Sequence, residues 1–302
     1  MAQSQFAFFP GCSAHSTGRA YTESFMYVAE RLGFEVSEIP EWNCCGASAG
    51  HLRSHDLGDA LPARSLALSE EAFGDRPVLA LCAGCYINLR RALVHARRSP
   101  EDLARIDALI GREWKASAEV MNGLEPFMDP EVQSRLSSCV TRPLKGLKVA
   151  CYYGCAMVRP RDVCAFDDDE DPRSMEQILS LTGAEPVEWS FKTECCGASH
   201  QVIVQRDMKP MVGRILENAA AAGAEAVATA CPLCMLNLDM REAEANRQRA
   251  ELGKPPLRLP VYYFTELIAA SFGGKADEIG IKRHFTPAVE TVEAARSQGV
   301  VA

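Results

Sequence analysis

The sequence predicts an α/β fold made twice over: two small parallel sheets, each flanked by helices, with a helical insertion after the first. Two observations carry that expectation. Short apolar runs alternate with stretches of helical spacing, which is the pattern of βαβ units and parallel strands. The order of these segments, together with a set of five cysteines, also occurs twice in the 302 residues. That length suits two domains of ordinary size. The repeat unit is about 145 residues, and a repeat must be seen before any fold is assigned. The expected domains are therefore 1–145 and 146–302, with PLKG (143–146) as the linker.

Taken in order, FAFFP (6–10) reads as a short apolar strand that delivers Cys12. Residues 17–32 have helical spacing, and Gly33 stops them. FEVSEI (34–39) is a strand leading into the loop EWNCCGASAG; a helix follows over about 57–72, then the strand VLALC (78–82) and a helix over 84–98. Residues 100–142 read as a helical insertion with an acidic middle, MNGLEPFMDPE. The second copy repeats the order: KVACYYG (148–154), a helix near 173–182, EPVEW (185–189), a helix near 207–222 and the strand AVATAC (226–231). A charged helix is expected over 239–257, and 280–302 has weak periodicity and reads as a tail. In parallel α/β sheets the binding groups sit at the carboxyl ends of the strands, so the cysteine groups of each copy are expected on one edge.

Composition narrows the function. A formal net charge of −8 argues against non-specific nucleic-acid binding, which needs a basic surface. No run of about 18 apolar residues occurs, so no membrane-spanning helix is expected. The start, MAQSQFAFFPGC, lacks the basic and apolar segments of a secretory signal. The expected location is cytoplasmic, where thiols stay reduced and cysteines serve as ligands or catalysts more often than as staples.

Ten of the 13 cysteines fall into two matching sets. The first is Cys12, Cys44-Cys45 and Cys82-Ala-Gly-Cys85, with gaps of 31 and 36 residues. The second is Cys155, Cys195-Cys196 and Cys231-Pro-Leu-Cys234, with gaps of 39 and 34. The flanks match too: LALCAGCYINL with ATACPLCMLNL, and NCCGAS with ECCGAS. Structural zinc and an ordinary cubic iron–sulfur cluster each take four ligands, so five thiolates per copy are one too many for either. The surplus points to an iron–sulfur assembly with a bridging thiolate, or to a site with one thiol spare for chemistry. Gly46 and Gly197, after the paired cysteines, suit a loop whose backbone approaches a bulky ligand. Cys231-Pro-Leu-Cys234 also has the look of a zinc knuckle, so one cluster plus one zinc stays open as the alternative.

On these residues the chain resembles the cysteine-rich CCG domain in two complete copies, and so the family of the B-type subunit of heterodisulfide reductase. The likeness covers about residues 10–240. The first copy reads Cys-Cys-Gly-Ala-Ser where methanogen subunits often carry proline after the pair, which favours a bacterial heterodisulfide-reductase-like protein. The resemblance implies two noncubane 4Fe–4S clusters, one on Cys12, Cys44, Cys45, Cys82 and Cys85, the other on Cys155, Cys195, Cys196, Cys231 and Cys234. The two copies would be related by a pseudo-twofold axis, with a disulfide or other organosulfur substrate held between the clusters, in a role such as cytoplasmic sulfur oxidation. No ferredoxin segment of the C-x-x-C-x-x-C-x-x-x-C-P type is present. The implied partners are thus a separate ferredoxin-like iron–sulfur subunit of the C type, a flavin-containing subunit of the A type and, in sulfur oxidisers, a lipoate-bearing carrier protein. The second function class is an electron-transfer or structural metal module of a larger dehydrogenase of succinate, lactate or glycolate type, without a substrate of its own.

His51 and His200 follow the two Cys-Cys loops at similar spacing, in CCGASAGH and CCGASH. Each is a candidate proton donor to a thiolate leaving group, the alternative being a loop histidine bonded to backbone or water. His15, three residues after Cys12, reads as a surface histidine. Cys139, Cys151 and Cys164 lie outside the sets: Cys151 reads as a buried strand residue, and the acidic neighbours of Cys164 are expected to raise its pKa.

Overall fold

In a computed structural model, residues 4–47, 49–164, 166–198 and 205–299 are described, the side chains of 205–209 excepted. The first sheet is built from β1 (Gln5–Phe9), then α1 (Arg19–Leu32), β2 (Glu35–Glu38), α2 (Gly50–Arg53), α3 (His55–Phe73), β3 (Val78–Ala80), α4 (Ala83–Ala96), α5 (Pro100–Ile110) and β4 (Val120–Asn122). A 3-10 turn (Glu125–Met128) and α6 (Pro130–Cys139) follow. The second sheet is built from β5 (Lys148–Tyr152), α7 (Arg161–Cys164), α8 (Ser174–Ser180), β6 (Glu185–Pro186), α9 (Gln205–Ala221), β7 (Ala226–Thr229), α10 (Pro232–Glu251) and β8 (Val261–Tyr263). Helix α11 (Phe264–Ser271), a 3-10 turn (Ile281–Arg283) and α12 (Val289–Gly299) close the chain.

Both sheets are parallel and share one strand order, β2-β1-β3-β4 and β6-β5-β7-β8. The inner strands are short and almost wholly apolar: Phe6 to Phe9 and Val149 to Tyr152 are at most 2% exposed, as sheets covered on both faces require, whereas the edge strands β2 (EVSE) and β6 (EP) are polar and partly exposed. The α/β expectation is thus met, with the two sheets equivalent strand by strand. In each, the chain turns to opposite sides after two adjacent strands, β1 and β3 or β5 and β7. Such a reversal of strand order opens a crevice at the carboxyl ends. The register aligns those ends: Phe9 is opposite Ala80, and Tyr152 is opposite Thr229. Cys12 and Cys155 therefore start three residues beyond an aligned pair, and Cys82 and Cys231 two beyond it.

Three expectations need correction. The charged helix expected over 239–257 is the outer part of α10, which begins at Pro232 and ends at Glu251, so the run into KPP is not helical. The stretch 100–142 is not purely helical, because Val120–Asn122 adds β4 to the edge of the first sheet, with Val120 opposite Val78. Residues 289–299 are not a loose tail but the helix α12. Its Arg296, 4% exposed, donates to the carbonyls of Ala270 and Gly274 and so caps the end of α11.

The two repeats are packed as one body. A single hydrophobic cluster runs from Phe6 and Phe25 in the first repeat to Tyr152 and Phe264 in the second. Along the junction, Tyr21 of α1 stacks on Tyr263 with ring centroids 4.5 Å apart, and the Ser24 and Thr265 hydroxyls are 2.6 Å apart. Phe127 meets Phe264 edge-on at 5.5 Å. A Cβ at Gly18 would lie 2.9 Å from Pro232, so α1 begins directly against the start of α10.

Candidate functional site

Each cysteine set is assembled from three strand-to-helix connections. Cys82 and Cys231 are the N-cap residues of α4 and α10, and Cys85 and Cys234 lie within the first turn of those helices. A helix N-terminus carries partial positive charge and favours ionised sulfur. Above this turn passes the loop after the first strand of each sheet. Gly11 has φ +59°, and a Cβ there would lie 2.7 Å from Cys85 Sγ. Gly154 has φ +68°, and a Cβ there would lie 2.9 Å from Cys234 Sγ. The backbone thus touches the same sulfur in both copies, at a position where only glycine is free of both strain and overlap.

The paired cysteines complete each set. Cys45 Sγ is 3.3 Å from Cys85 Sγ, and Cys196 Sγ is 3.7 Å from Cys234 Sγ. The left-handed Gly46 and Gly197 direct their N–H groups at Cys44 Sγ (3.4 Å) and Cys195 Sγ (3.3 Å). One asparagine anchors each loop: Asn88 donates to the Cys45 carbonyl at 3.2 Å, and Asn237 donates to the Cys196 carbonyl. Asn43 is tied to the Leu61 carbonyl and to Arg64, and Tyr152 donates to the Glu194 carbonyl at 2.7 Å. Cys12, Cys44 and Cys155 are exposed, Cys195 is half-buried, and the other six thiols are buried.

The sets meet each other. Cys82 and Cys231 are neighbours across the junction of the repeats, close enough for each thiol to shift the other's ionisation. Crowding then splits the thiols into donors and acceptors. Contact with the Cys44 and Cys85 thiols holds Cys45 down to about 4. Contact with Cys234 lowers Cys196, and contact with Cys234 and then Cys82 lowers Cys231. Their neighbours move the other way: Cys44, Cys82, Cys85, Cys155 and Cys234 are all raised, chiefly by the sulfur each is bonded to and then by burial. Ten thiols so arranged cannot all ionise unless cations are bound among them. Three buried hydroxyls nearby, those of Tyr21, Tyr263 and Thr229, have no hydrogen-bond partner among the described residues. A sulfur-rich metal group fits this donor set, since it supplies positive charge to the thiolates and acceptors to the hydroxyls. Among the described residues no three His, Cys, Asp or Glu side chains converge on a single metal ion; the sulfurs form a chain of pairwise contacts instead.

The remaining candidates are placed as follows. His51, on α2, lines a small cavity of about 70 Å³ with His55, Asp59, Asn88, Arg91 and His95. His95 Nδ1 is 2.7 Å from Asp59, which also holds Arg105 at 2.6 Å. His200 lies outside the described residues. His15 is exposed and lies 3.2 Å from Glu38. Cys151 is buried in β5 and Cys139 is half-buried at the end of α6. Cys164 is pushed up to about 11, mainly by burial, with Asp162 and Glu125 adding to it. Burial, not the acidic neighbours, is the main cause. Two features of the site were not anticipated from the sequence. Asn88 and Asn237 each sit three residues after a Cys-x-x-Cys, in CYIN and CMLN, so the repeat itself could have revealed them. Gly11 and Gly154 were equally visible, as the residue before Cys12 and before Cys155.

Residues 6–90 and 149–239 each match the cysteine-rich domain CCG. The chain belongs to the CCG family. Among the relatives of this CCG protein, the 8-methylmenaquinol:fumarate reductase membrane anchor subunit of Wolinella succinogenes is 31% identical over 95% of this chain and 99% of its own length. The B-type subunit of the ferredoxin:CoB-CoM heterodisulfide reductase of Methanosarcina mazei is 27% identical over 96% of this chain and 95% of its own. A protein of Archaeoglobus profundus named as like that B-type heterodisulfide reductase subunit is 24% identical over 91% and 93%. The fold is shared with the crystal structure of a hypothetical protein from Helicobacter pylori, at a TM-score of 0.70 and 12% identity. The CCG chain spans about half the length of that structure, 52%. Among the described residues no helix is long and apolar enough to cross a membrane.

Proposed function

We propose that this protein is the iron–sulfur subunit of a heterodisulfide-reductase-like oxidoreductase, acting on a disulfide or related organosulfur bond. One cluster would be held by Cys12, Cys44, Cys45, Cys82 and Cys85, the other by Cys155, Cys195, Cys196, Cys231 and Cys234. The observation that carries this reading is the meeting of two five-thiol sets at one seam, where Cys82 faces Cys231. Five thiolates around each group exceed the four of a cubic cluster and agree with a noncubane 4Fe–4S form. Bound clusters would supply one electron each, so two of them match the two electrons of the reaction R–S–S–R′ + 2e⁻ + 2H⁺ → RSH + R′SH.

The chain's own residues do the rest. Gly11 and Gly154 let the backbone close over Cys85 and Cys234, which excludes water from that side. The exposed Cys12, Cys44 and Cys155 mark the open side, where a substrate would approach. His51 lines the same small cavity as Asn88, which holds the Cys45 carbonyl, and is assigned the role of proton donor to a departing thiolate on the first side by its place after Cys45 in the sequence; full turnover with an unshifted pH profile in His51→Ala would remove that role. His200 is assigned the same task on the second side by its place after Cys196 in the sequence. Electrons would come from a ferredoxin-like subunit and a flavin-containing subunit, and a lipoate-bearing carrier protein is one candidate source of the sulfur.

A second reading is favoured by the Wolinella succinogenes relative, which is named as an anchor subunit of a fumarate reductase. In it the clusters relay electrons within a larger enzyme and meet no disulfide. Anaerobic loading followed by metal analysis and electron paramagnetic resonance separates the two. Two four-iron clusters predict about eight irons per chain. A spectrum that changes when a candidate disulfide is added supports the first reading; full iron with a spectrum indifferent to disulfides supports the relay. Zinc in both sets, without iron, would overturn both.

A further inference from the structure

Beneath the seam lie two stacked phenols whose hydroxyls nothing among the described residues satisfies. Tyr21, on α1, and Tyr263, the last residue of β8, are each 1% exposed. Their rings are 4.5 Å apart and nearly parallel, at 12°. Among the described residues neither hydroxyl has a hydrogen-bond partner, nor does that of Thr229, fully buried and opposite Tyr263 in the sheet register. Buried polar groups are nearly always partnered, and a cluster of exceptions calls for an acceptor that is not part of the chain.

The acceptor's position follows from the strands. Thr229 ends β7, two residues before Cys231. The Tyr21 hydroxyl fills the space above Gly123, where a Cβ would be 2.4 Å from it and 3.1 Å from Leu81. Gly123 follows the end of β4, and Leu81 is the residue before Cys82. One hydroxyl therefore stands where the strand delivering Cys82 ends, and two stand where the strand delivering Cys231 ends. Burial first, and then the charges of Cys231 and Cys82, raise Tyr21 well above its ordinary pKa. Tyr263 is likewise raised, by burial and then by Glu266, Cys231, Tyr21 and Cys82. Both remain neutral O–H donors.

The arrangement is not duplicated. By register, the first repeat has Asn122 where the second has Tyr263, and Ala80 where it has Thr229. The Asn122 amide is already committed to Glu125, and its carbonyl accepts from the Leu124 N–H. Helix α8, the counterpart of α1, has the sequence SMEQILS and contains no tyrosine.

We propose that the hydroxyls of Tyr21, Tyr263 and Thr229 donate to sulfur at the seam in the loaded protein, one on the side of Cys82 and two on the side of Cys231, and so give the two metal groups unequal reduction potentials. This rests on the two-cluster reading above. Hydrogen bonds to ligand sulfur draw charge from the metal group and make the reduced state easier to reach. An unequal pair orders the transfer: one centre is reduced first, and the second electron follows from the other.

The test uses the full-length protein, loaded anaerobically, with Tyr21→Phe and Tyr263→Phe. Each substitution keeps the ring stack and deletes one oxygen. Gly123→Ala is the complementary variant, because its methyl group displaces the Tyr21 hydroxyl without removing it. Redox titration followed by paramagnetic resonance should show one midpoint falling in each variant by about tenfold in the one-electron equilibrium, which is about 59 mV. Gly123→Ala should move the same midpoint as Tyr21→Phe. Full iron with unchanged midpoints in both phenylalanine variants overturns the inference and leaves the two-cluster reading standing, even if their melting temperatures fall. Absence of iron from the unaltered protein removes both.

Discussion

Alanine at Gly11 would carry a methyl group to 2.7 Å from Cys85 Sγ. Ordinary non-bonded contacts sit at about 3.5–4.0 Å, so roughly 1 Å of overlap must be relieved. Cys85 is 2% exposed and lies in the first turn of α4, so the sulfur can yield only by rotating away from its set. That is tolerable for a free thiol and damaging for a ligand, since a constellation must hold to within about 0.5 Å to keep its group. A second cost is the left-handed backbone, about 1–2 kcal/mol for a residue with a Cβ. Gly111→Ala isolates that second cost: φ is +67° there, and a Cβ would meet nothing within 4 Å. The expected outcome has two parts. In the unloaded protein, both variants melt a few degrees below the unaltered chain, by similar amounts. After anaerobic loading, Gly111→Ala holds the full complement of iron and Gly11→Ala about half, with the remaining paramagnetic signal that of the second set. Gly154→Ala should do the converse, since its Cβ would lie 2.9 Å from Cys234 Sγ. A Gly11→Ala protein that loads as fully as Gly111→Ala would refute the reasoning.

Two further expectations concern stability. Burial, opposed by the Asn122 N–H and by Arg90, raises Glu125 to about 7 from 4.5. The folded chain then binds more protons than the unfolded chain between those values, so this group's contribution is complete below about 4.5 and is lost as pH rises toward 7. The shift corresponds to roughly 3 kcal/mol at most. Glu125→Gln keeps an acceptor for Asn122, and its unfolding free energy should gain on the unaltered protein as pH rises through that window; parallel curves in denaturant titrations would exclude the effect. Asn88→Ala leaves the buried Cys45 carbonyl without its donor and should cost about 1–3 kcal/mol, with slower iron uptake by the first set only; uptake by Asn237→Ala should be impaired in the second set, and the reverse assignment would count against the anchoring role.

The cysteine frame was legible because ligands at strand ends must recur at fixed spacing, and a duplicated frame shows that spacing twice. Strand β4 was not legible. It is three residues long, VMN, inside a stretch rich in charge and proline, and it is a strand only because β3 offers it an edge. Helix α12 was missed for a related reason: its apolar face is narrow, and its place is fixed by the buried Arg296 bonding to carbonyls at the end of α11. The phenols of Tyr21 and Tyr263 are invisible to periodicity, since an aromatic residue on a buried face reads as core. Only the missing partner of each hydroxyl separates them from Phe25 or Phe264. Fold class and ligand positions are thus local properties of the chain, whereas the polarity of the junction depends on contacts between residues more than 200 positions apart.

The stacked tyrosines, the Ser24–Thr265 hydroxyl pair and the continuous core have a consequence for ancestry and for dissection. The faces that the two repeats turn to each other are joined through one continuous cluster of buried apolar side chains, as the halves of an obligate dimer are. A chain carrying a single copy would expose α1 and its Phe25 and Tyr21 to water, and would have to pair with another molecule to cover them. The duplicated protein is therefore best regarded as a dimer whose halves became covalently joined. A covalent join leaves the two facing surfaces free to differ, and among the described residues they do: one lone hydroxyl, that of Tyr21, stands on the first repeat, and two, those of Tyr263 and Thr229, on the second.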